Sequence, residues 1–111
     1  MIEITILEYL SGKLSVPVYS EFPADPPERF VILDRSSGSR ENHIDSAIFL
    51  AQSYGPSKFE AAKLNHQVKA AMDALIELDE IVESSLNSDY PFPDTKRKHY
   101  RYQAVYDITY Y

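Results

Sequence analysis

The chain contains no cysteine and no tryptophan, and only three of its 111 residues are glycine. Without cysteine, neither disulfide bonds nor thiolate metal sites can hold the fold, and a cysteine nucleophile is excluded. No segment approaches the ~20 consecutive apolar residues that a membrane-spanning helix needs. The N-terminal residues also lack the basic start and the small-residue cleavage site of a signal peptide. The sequence therefore predicts no membrane segment.

Basic residues are a minority, with 11 Lys and Arg against 17 Asp and Glu, which gives a net charge of -6. Nucleic-acid affinity comes largely from clustered Lys and Arg, so this balance argues against a general phosphate-binding surface. The one basic cluster is KRKHYR, residues 96–101, where Tyr100 and the nearby Tyr102 add the stacking surfaces of single-strand binders. A contact with a partner protein explains the cluster as well, and both interpretations stay open.

Motifs for catalysis and for metal binding are missing. His43, His66 and His99 fall in a predicted loop, a helix and a strand start, and no two of them have the helical spacing of a metal site. The acidic residues between Glu77 and Glu83 are interpreted as a solvated edge that discourages sheet-to-sheet aggregation. There is neither a G-x-S-x-G elbow nor a P-loop. The sequence thus predicts no catalytic residue, no metal site and no cofactor.

The segment GPSKFEAAKLNHQVKAAMDAL, residues 55–75, is the clearest helix. Ser57 stands three residues before Glu60, which is the spacing of a capping box. One apolar stripe follows the helical period: Ala61, Leu64, Val68, Ala71 and Leu75. A short amphipathic helix is also predicted over residues 2–13, ending near Gly12.

Strand patterns occupy most of the remaining chain. They are VPVYSEF, where Pro17 permits only an edge position, RFVILDR, IDSAIFLAQSY, ELDEIVESSL and HYRYQAVYDITYY. The third is apolar on both faces, which indicates a central strand. The segment SSGSRENH is predicted as a polar hairpin loop that turns at Gly38, and NSDYPFPDTKRK as a second proline loop.

The resulting element order is α-β-β-β-α-β-β, and consecutive strands joined by loops favour antiparallel pairing. The predicted fold is α+β, with a mixed, mainly antiparallel sheet of about four to five strands packed against one long helix. A short N-terminal helix accompanies it, and residues 1–111 form a single domain by the length prior.

Tyrosine is abundant, with nine residues against five Phe, and many lie near the C-terminus. In the last strand Tyr100, Tyr102, Tyr106 and Tyr110 alternate onto one face. Tyrosine offers rigid contact area with a polar tip and is enriched at interfaces. We expect some of these side chains in the sheet core and others against another subunit, with Tyr110 and Tyr111 lying outside the core.

Three prolines, Pro23, Pro26 and Pro27, interrupt the segment FPADPPER before the second strand. Each fixes a backbone φ angle, which prevents regular pairing and reduces the freedom of the unfolded chain. We interpret this segment, which we call the proline corner, as a stiff connection that starts the next strand in one register. Its exposed part is a candidate contact with a neighbouring subunit.

The ordered set of segments resembles the small tail-completion proteins of long-tailed bacteriophages and their prophage relatives, namely tail terminators and head-to-tail joining proteins. The likeness covers roughly residues 14 to 108. Its parts are VPVY and the proline link, an apolar strand ending in Arg35, a Gly-containing hairpin, a strand from Asp45 to QSYG, a helix with EAAKLNHQV, and a late YRYQAVYDI strand.

The resemblance implies a subunit without enzymatic activity or cofactor that forms a homo-oligomeric ring, commonly a hexamer. The ring sits at the head-proximal end of the tail tube, stops tube polymerisation, and contacts the tail tube protein and the head connector proteins. DNA passes through its lumen without specific binding, and the acidic composition is expected to suit that passage. The implied locations are the bacterial host cytoplasm during assembly and then the virion tail and neck.

We expect the subunit and partner interface to involve the proline corner, the basic residues and the last tyrosines. The candidate residues are Pro26, Pro27, Arg29, Arg35, Arg40, Lys96, Arg97, Lys98, Tyr110 and Tyr111. Two alternatives stay open. One is a head-side neck adaptor or minor capsid protein, and the other is a prophage-encoded small binding module that acts on a host protein.

Overall fold

Two helices and five strands follow one another in the predicted order, in a computed structural model that describes residues 1–111. The helices are α1, Ile2–Lys13, and α2, Lys58–Asp73, which a 3-10 turn at Ala74–Glu77 extends. The strands are β1, Val18–Tyr19; β2, Phe30–Glu41; β3, Ile44–Gly55; β4, Ile81–Pro91; and β5, Tyr100–Tyr110. No helix is both long enough and apolar enough to cross a membrane.

The strands form one sheet in the order β1-β2-β3-β5-β4. β1 runs parallel to β2, and the other three pairings are antiparallel. The α+β class and the mixed, mainly antiparallel sheet are therefore confirmed. β3 lies at the centre of the sheet, as its two apolar faces predict, and β1 lies at one edge, where the preceding Pro17 is tolerated.

Both helices pack against the same face of the sheet, so the sheet is covered by two helices and not by one long helix alone. The predicted stripe of α2 is buried along its whole length. It joins Ile6 and Leu10 of α1 and Phe49 and Tyr106 of the sheet in one core cluster. Each large apolar side chain buried there contributes roughly 1.5–3 kcal/mol, which fixes the helices on this face.

The start of α2 is capped by Ser57, whose Oγ accepts a hydrogen bond from the Glu60 amide at 3.1 Å. Only this half of the predicted capping box forms. The Glu60 carboxylate instead lies 3.4 Å from Arg29 Nε, because the proline link delivers Arg29 to the first turn of the helix. Sequence spacing could not show this competing partner, which is distant along the chain.

The polar segment 36–43 is not a loop around Gly38, so that prediction was wrong. β2 and β3 pair as far as Glu41 and Ile44, and the turn is formed by Asn42 and His43, with φ angles of 52° and 67°. Two central residues with positive φ are typical of a type I′ turn, whose twist matches that of a hairpin and which favours asparagine. Asn42 thus adopts a backbone conformation with positive φ, which glycine adopts more readily than other residues.

β4 extends to Pro91, although residues 87–91 were predicted as part of a loop. Polar contacts attach this strand to α2 and compensate for its low hydrophobicity. Ser84 Oγ donates to the Met72 carbonyl at 2.7 Å, and Lys69 Nζ donates to Asp89 Oδ2 at 2.9 Å. The hydrogen bond from Lys69 holds the pKa of Asp89 below its ordinary value. Pro91 is tolerated because it ends an edge strand.

We predict that Gly55→Ala destabilises the fold. A Cβ at this position would lie 2.7 Å from the Ala61 amide nitrogen and 3.0 Å from the Glu60 carbonyl carbon. The backbone of α2 would have to move away, and overpacking of this kind costs about 1–3 kcal/mol. Urea unfolding at neutral pH measures the loss.

Gly12→Ala is the matched control, because no atom lies within 4 Å of its added Cβ. Gly12 is exposed in the last turn of α1, where alanine improves helix propensity by at most ~1 kcal/mol. We expect unchanged or slightly raised stability. Equal destabilisation by both substitutions would contradict the close approach of β3 to α2.

Candidate assembly surface

One face of the sheet carries no helix, and we call it the open face. Along β3 its side chains alternate with the core residues, as the sequence pattern predicts. Ile48 and Leu50 are half-buried, and Val105 of β5 lies opposite Leu50. Ile44, at the end of this row, is 38% exposed. The open face therefore presents an apolar row to solvent.

A chain of hydrogen bonds borders this apolar row. Gln52 Nε2 donates to Gln103 Oε1 at 2.9 Å, and Gln103 Nε2 donates to Tyr90 OH at 2.7 Å. The three side chains cross β3, β5 and β4. These side-chain hydrogen bonds link the three strands on the open face. They also mark where the apolar row ends and polar side chains begin.

The two edges of the sheet differ. On one side β1 pairs only with Val31 and Ile32 of β2, so the rest of β2, which includes the serine and glycine positions, has one unpaired backbone side. On the other side β4 is an edge along its whole length. It carries Glu83 and register shifts at two places. Free edges of this kind can add a strand from another chain.

Aromatic side chains close the end of the sheet where β2 begins, and we call this cluster the aromatic end. Phe30 stacks on Tyr54 with ring centroids 4.4 Å apart, and Phe22 meets both rings edge-on at 5.7 and 5.8 Å. The proline link brings Phe22 back over β2. His99, immediately before β5, lies 5.7 Å from the Phe22 ring.

The basic cluster at residues 96–101 does not form a continuous cationic surface. The guanidinium of Arg97 lies 4.3 Å from the Phe22 ring centroid, and that of Arg101 lies 4.4 Å from the Phe92 centroid. Arg101 also donates to the Phe92 carbonyl at 2.7 Å. Two cations are thereby used inside the molecule, while Lys96 and Lys98 remain exposed.

Asp94 fixes the turn that carries these cations. It is 5% exposed, and its carboxylate accepts from the Arg97 amide and guanidinium, both at 3.2 Å. Burial acts to raise the pKa of Asp94, but the hydrogen bonds from Arg97 and the charges of Arg101 and Arg97 outweigh it and hold the pKa below its ordinary value. The backbones of Asp94 and His99 also exchange two hydrogen bonds.

The other predicted interface arginines also have partners within the chain. Arg29 lies 3.4 Å from both Glu28 and Glu60, and Arg35 lies 3.5 Å from Glu3. Arg40 binds Asp45 through two hydrogen bonds of 2.8 and 3.2 Å. These pairs are on the surface, where an ion pair contributes only about 0–1 kcal/mol. A partner protein could therefore exchange them at little cost.

The last two tyrosines differ in environment. Tyr111 is 73% exposed, as expected, but Tyr110 is 8% exposed and belongs to the core, so its predicted position outside the core was wrong. β3 and β4 both extend far enough to pair with Tyr110. Strand alternation then turns its side chain toward the helices, together with Ile108.

The predicted interface residues lie in several places and not in one site. Pro26 is half-buried and Pro27 exposed at the proline corner, whereas Arg35 and Arg40 lie far along β2 and Lys96 to Lys98 lie in the turn before β5. The histidines are also dispersed, and no three His, Asp or Glu side chains are grouped as metal ligands.

Sequence reasoning missed one concave feature, which we call the proline–tyrosine groove. It has a volume of about 350 Å³ and is lined by Lys58, Pro91, Pro93, Tyr100, Arg101 and Tyr102. A neighbouring depression shares two of these residues and adds Lys98. The lining comes from α2, β4 and β5, so only the topology brings it together. The alternation of tyrosines along β5 was the one signal for it.

No known protein family matches the sequence, and no curated protein is similar to it at a significant level.

We predict that the folded state loses stability in acid partly through Asp94. Its pKa is lower in the folded than in the unfolded chain, so its contribution is complete above the unfolded value and is lost as the pH falls through the folded value. Asp94→Asn should lower stability at neutral pH by about 1–3 kcal/mol, since the Arg97 amide and guanidinium lose a charged acceptor. It should also make the decline below pH ~4 shallower.

Urea unfolding at several pH values between neutral and about 3 measures both effects. Asp79→Asn serves as the control, because Asp79 is exposed. A pH profile of Asp94→Asn parallel to that of the unmodified chain would show that the Arg97 contacts do not stabilise the ionised carboxylate.

Proposed function

We propose that this chain is a non-enzymatic structural subunit of a long-tailed bacteriophage or prophage. In this proposal it forms a ring at the head-proximal end of the tail tube, ends tube polymerisation and joins the tail to the head. The observation that supports this most is the one-sidedness of the sheet. Both helices cover one face, the apolar row of the other face is half-buried without a helix over it, and the two free edges are unlike.

A closed ring of identical subunits needs two different, complementary surfaces on each subunit. The sheet offers them on opposite sides, because the free part of β2 and the edge strand β4 are separated by the full width of the sheet. In the proposed ring, the β2 side of one copy faces the β4 side of the next. Serine and glycine at 36–39 keep the β2 edge small, whereas residues 84–88 of β4 are serine and asparagine around the exposed Leu86.

The apolar row of the open face supports a further contact in this assembly. Contiguous exposed apolar surface on a monomer commonly marks a protein interaction site. Ile48, Leu50 and Val105 are held by regular pairing of β3 with β5, and β2 pairs with the other side of β3 through a register shift between Arg35 and Ser37, so a partner would meet a preformed surface. In the proposal this partner is the end of the tail tube, which the ring must cover.

The charge of the chain bears on both assembly and passage of DNA. Subunits of net charge -6 repel one another at low ionic strength, and salt screens this repulsion within about 10 Å at 0.1 M. The net repulsion between subunits should therefore fall from low to moderate salt. An acidic lumen would also let DNA slide without adhering.

Purified tail tubes provide the direct test. Added protein should appear as a ring on one end of each tube in electron micrographs and should stop elongation when tube protein is supplied. Tubes that remain bare and continue to grow would contradict the proposal. Binding to purified head connectors in the absence of tube binding would instead support the head-side adaptor.

We predict that Leu50→Lys abolishes capping without unfolding the chain. The lysine stem can lie along the sheet with its ammonium in water, next to Asp34 on β2, so the monomer should tolerate it. In a covered contact the same ammonium is desolvated at a cost of ~2 kcal/mol or more. Occupied tube ends should fall at least tenfold, roughly the equivalent of 1.4 kcal/mol.

Ile76→Lys is the control for charge and hydrophobicity. Ile76 is 60% exposed and lies on the 3-10 turn at the helix-covered side. Circular dichroism should show both variants folded. Equal capping by both would exclude the open face as the tube contact.

A further inference from the structure

We propose that residues 24–28, the central part of the proline corner, dock in the proline–tyrosine groove of a second copy. This contact deepens the ring proposed above and rests on its self-association. It identifies the two surfaces that meet between neighbouring subunits. The occupant of the groove is thus a segment of this same chain.

Charge complementarity is the first support. The corner carries the exposed carboxylate of Asp25 and that of Glu28, which lies 3.4 Å from Arg29. The exposed cations on the other side are Lys58 in the groove and Lys98 in the adjoining depression, whereas the Arg101 guanidinium is already bonded within its own chain. In a chain of net charge -6, such a cationic rim is a local exception. Opposed charges of this kind orient two surfaces during encounter.

The chemistry of the lining is the second support. Proline-rich segments dock on grooves lined by aromatic side chains, where the rigid rings pack face to face. The groove presents Tyr100 and Tyr102 together with Pro91 at the end of β4 and Pro93 in the loop that follows. Tyr100 is 50% exposed, so its ring is free to receive a partner. Because Pro26 and Pro27 already fix their φ angles, little chain entropy is lost on docking.

Topology is the third support, because it sets the corner and the groove at the same level. Phe30, which follows the corner, pairs with Tyr54, and the next residue, Gly55, pairs with Tyr100 of the groove. Both surfaces therefore lie at one end of the sheet. The first turn of α2 stands between them, with Glu60 toward the corner at Arg29 and Lys58 toward the groove.

In a ring whose axis runs parallel to the strands, neighbouring sheets lie side by side. The same end of every sheet then lies at the same height along the axis. The β1–β2 side of one copy then faces the β4–β5 side of the next. The corner enters β2 at Phe30 on the first side, after Phe22 has contacted His99 of the same chain. The groove opens near the second side, so in the proposed ring rotation about the axis brings the corner of one copy against the groove of the next. The same contact repeats around the ring, as a heterologous interface requires.

The absence of cysteine permits a clean disulfide trap. One variant carries Ala24→Cys in the corner and a second carries Thr95→Cys, an exposed residue of the depression beside the groove. Mixed in a glutathione redox buffer, they can form a mixed dimer only between two chains. We expect this dimer to exceed the one formed by Ala24→Cys with Ser11→Cys on α1 by about tenfold, because docking raises the effective concentration.

Charge variants identify the contact. Lys58→Glu on the Thr95→Cys chain should remove the preference, and Asp25→Lys on the Ala24→Cys chain should restore it. Replacing Pro26 and Pro27 with alanine should weaken the trapped dimer more than it lowers the stability of the monomer. Equal yields with Thr95→Cys and Ser11→Cys would overturn the proposal, as would a preference that Lys58→Glu leaves intact.

The outcome is separable from that of the tube experiment. Capped tubes without a preferred disulfide would leave the proposed function standing and exclude this contact. The opposite outcome is a preferred disulfide that Lys58→Glu removes and Asp25→Lys restores, while the tubes stay bare. It would establish self-association through the corner and reject the tail function.

Discussion

The close approach of β3 to α2 at Gly55 is the constraint on which the other surfaces depend. Gly55 has no side chain to separate the strand from Ala61, and Ser57 caps the helix immediately after the strand ends. α2 must then run back over one face of the sheet to which β3 belongs. Its apolar stripe fills that face, α1 packs beside it, and the opposite face remains without a helix. The open face therefore follows from how β3 joins α2.

The same junction separates the two surfaces at the end of the sheet. α2 begins directly over the last pair of β3 and β5, so side chains of its first turn point toward both flanks. Glu60 pairs with Arg29 and holds the end of the proline link. Lys58 lines the groove on the other flank. One turn of helix thus holds the end of the proline link on one flank and places a lysine at the groove on the other.

Local patterns in the sequence predicted the elements and the core, whereas long-range pairing determined what the patterns missed. The burial of Ala61, Leu64 and Val68 follows from helical period alone. The turn at Asn42 did not follow, because glycine at position 38 offered the more familiar signal and only the pairing of β2 with β3 excludes it. Tyr110 was expected outside the core because it lies next to the end of the chain. It is buried because β3 and β4 both extend far enough to pair with it.

The basic cluster shows why a charge run does not define a surface. Arg97 and Arg101 are close in sequence to two lysines, yet their guanidinium groups lie on Phe22 and Phe92. Each such contact contributes ~0.5–1 kcal/mol at an exposed site. Together with Asp94 they fix the loop before β5 against the aromatic end. The groove could not be found from the sequence for the same reason, since its lining residues meet only after β4 and β5 pair.

The proposed ring need not form in free solution. The groove is small, at about 350 Å³, and ligand pockets of that size hold a few side chains and not a large interface. Mutual repulsion between acidic subunits opposes association further. If the open face first binds the end of a tube, neighbouring subunits are held at high effective concentration, and weak corner–groove contacts then close the ring without any new interaction. Ring formation would thereby be confined to completed tube ends, because a contact too weak to act alone becomes sufficient only where another surface has already positioned both partners.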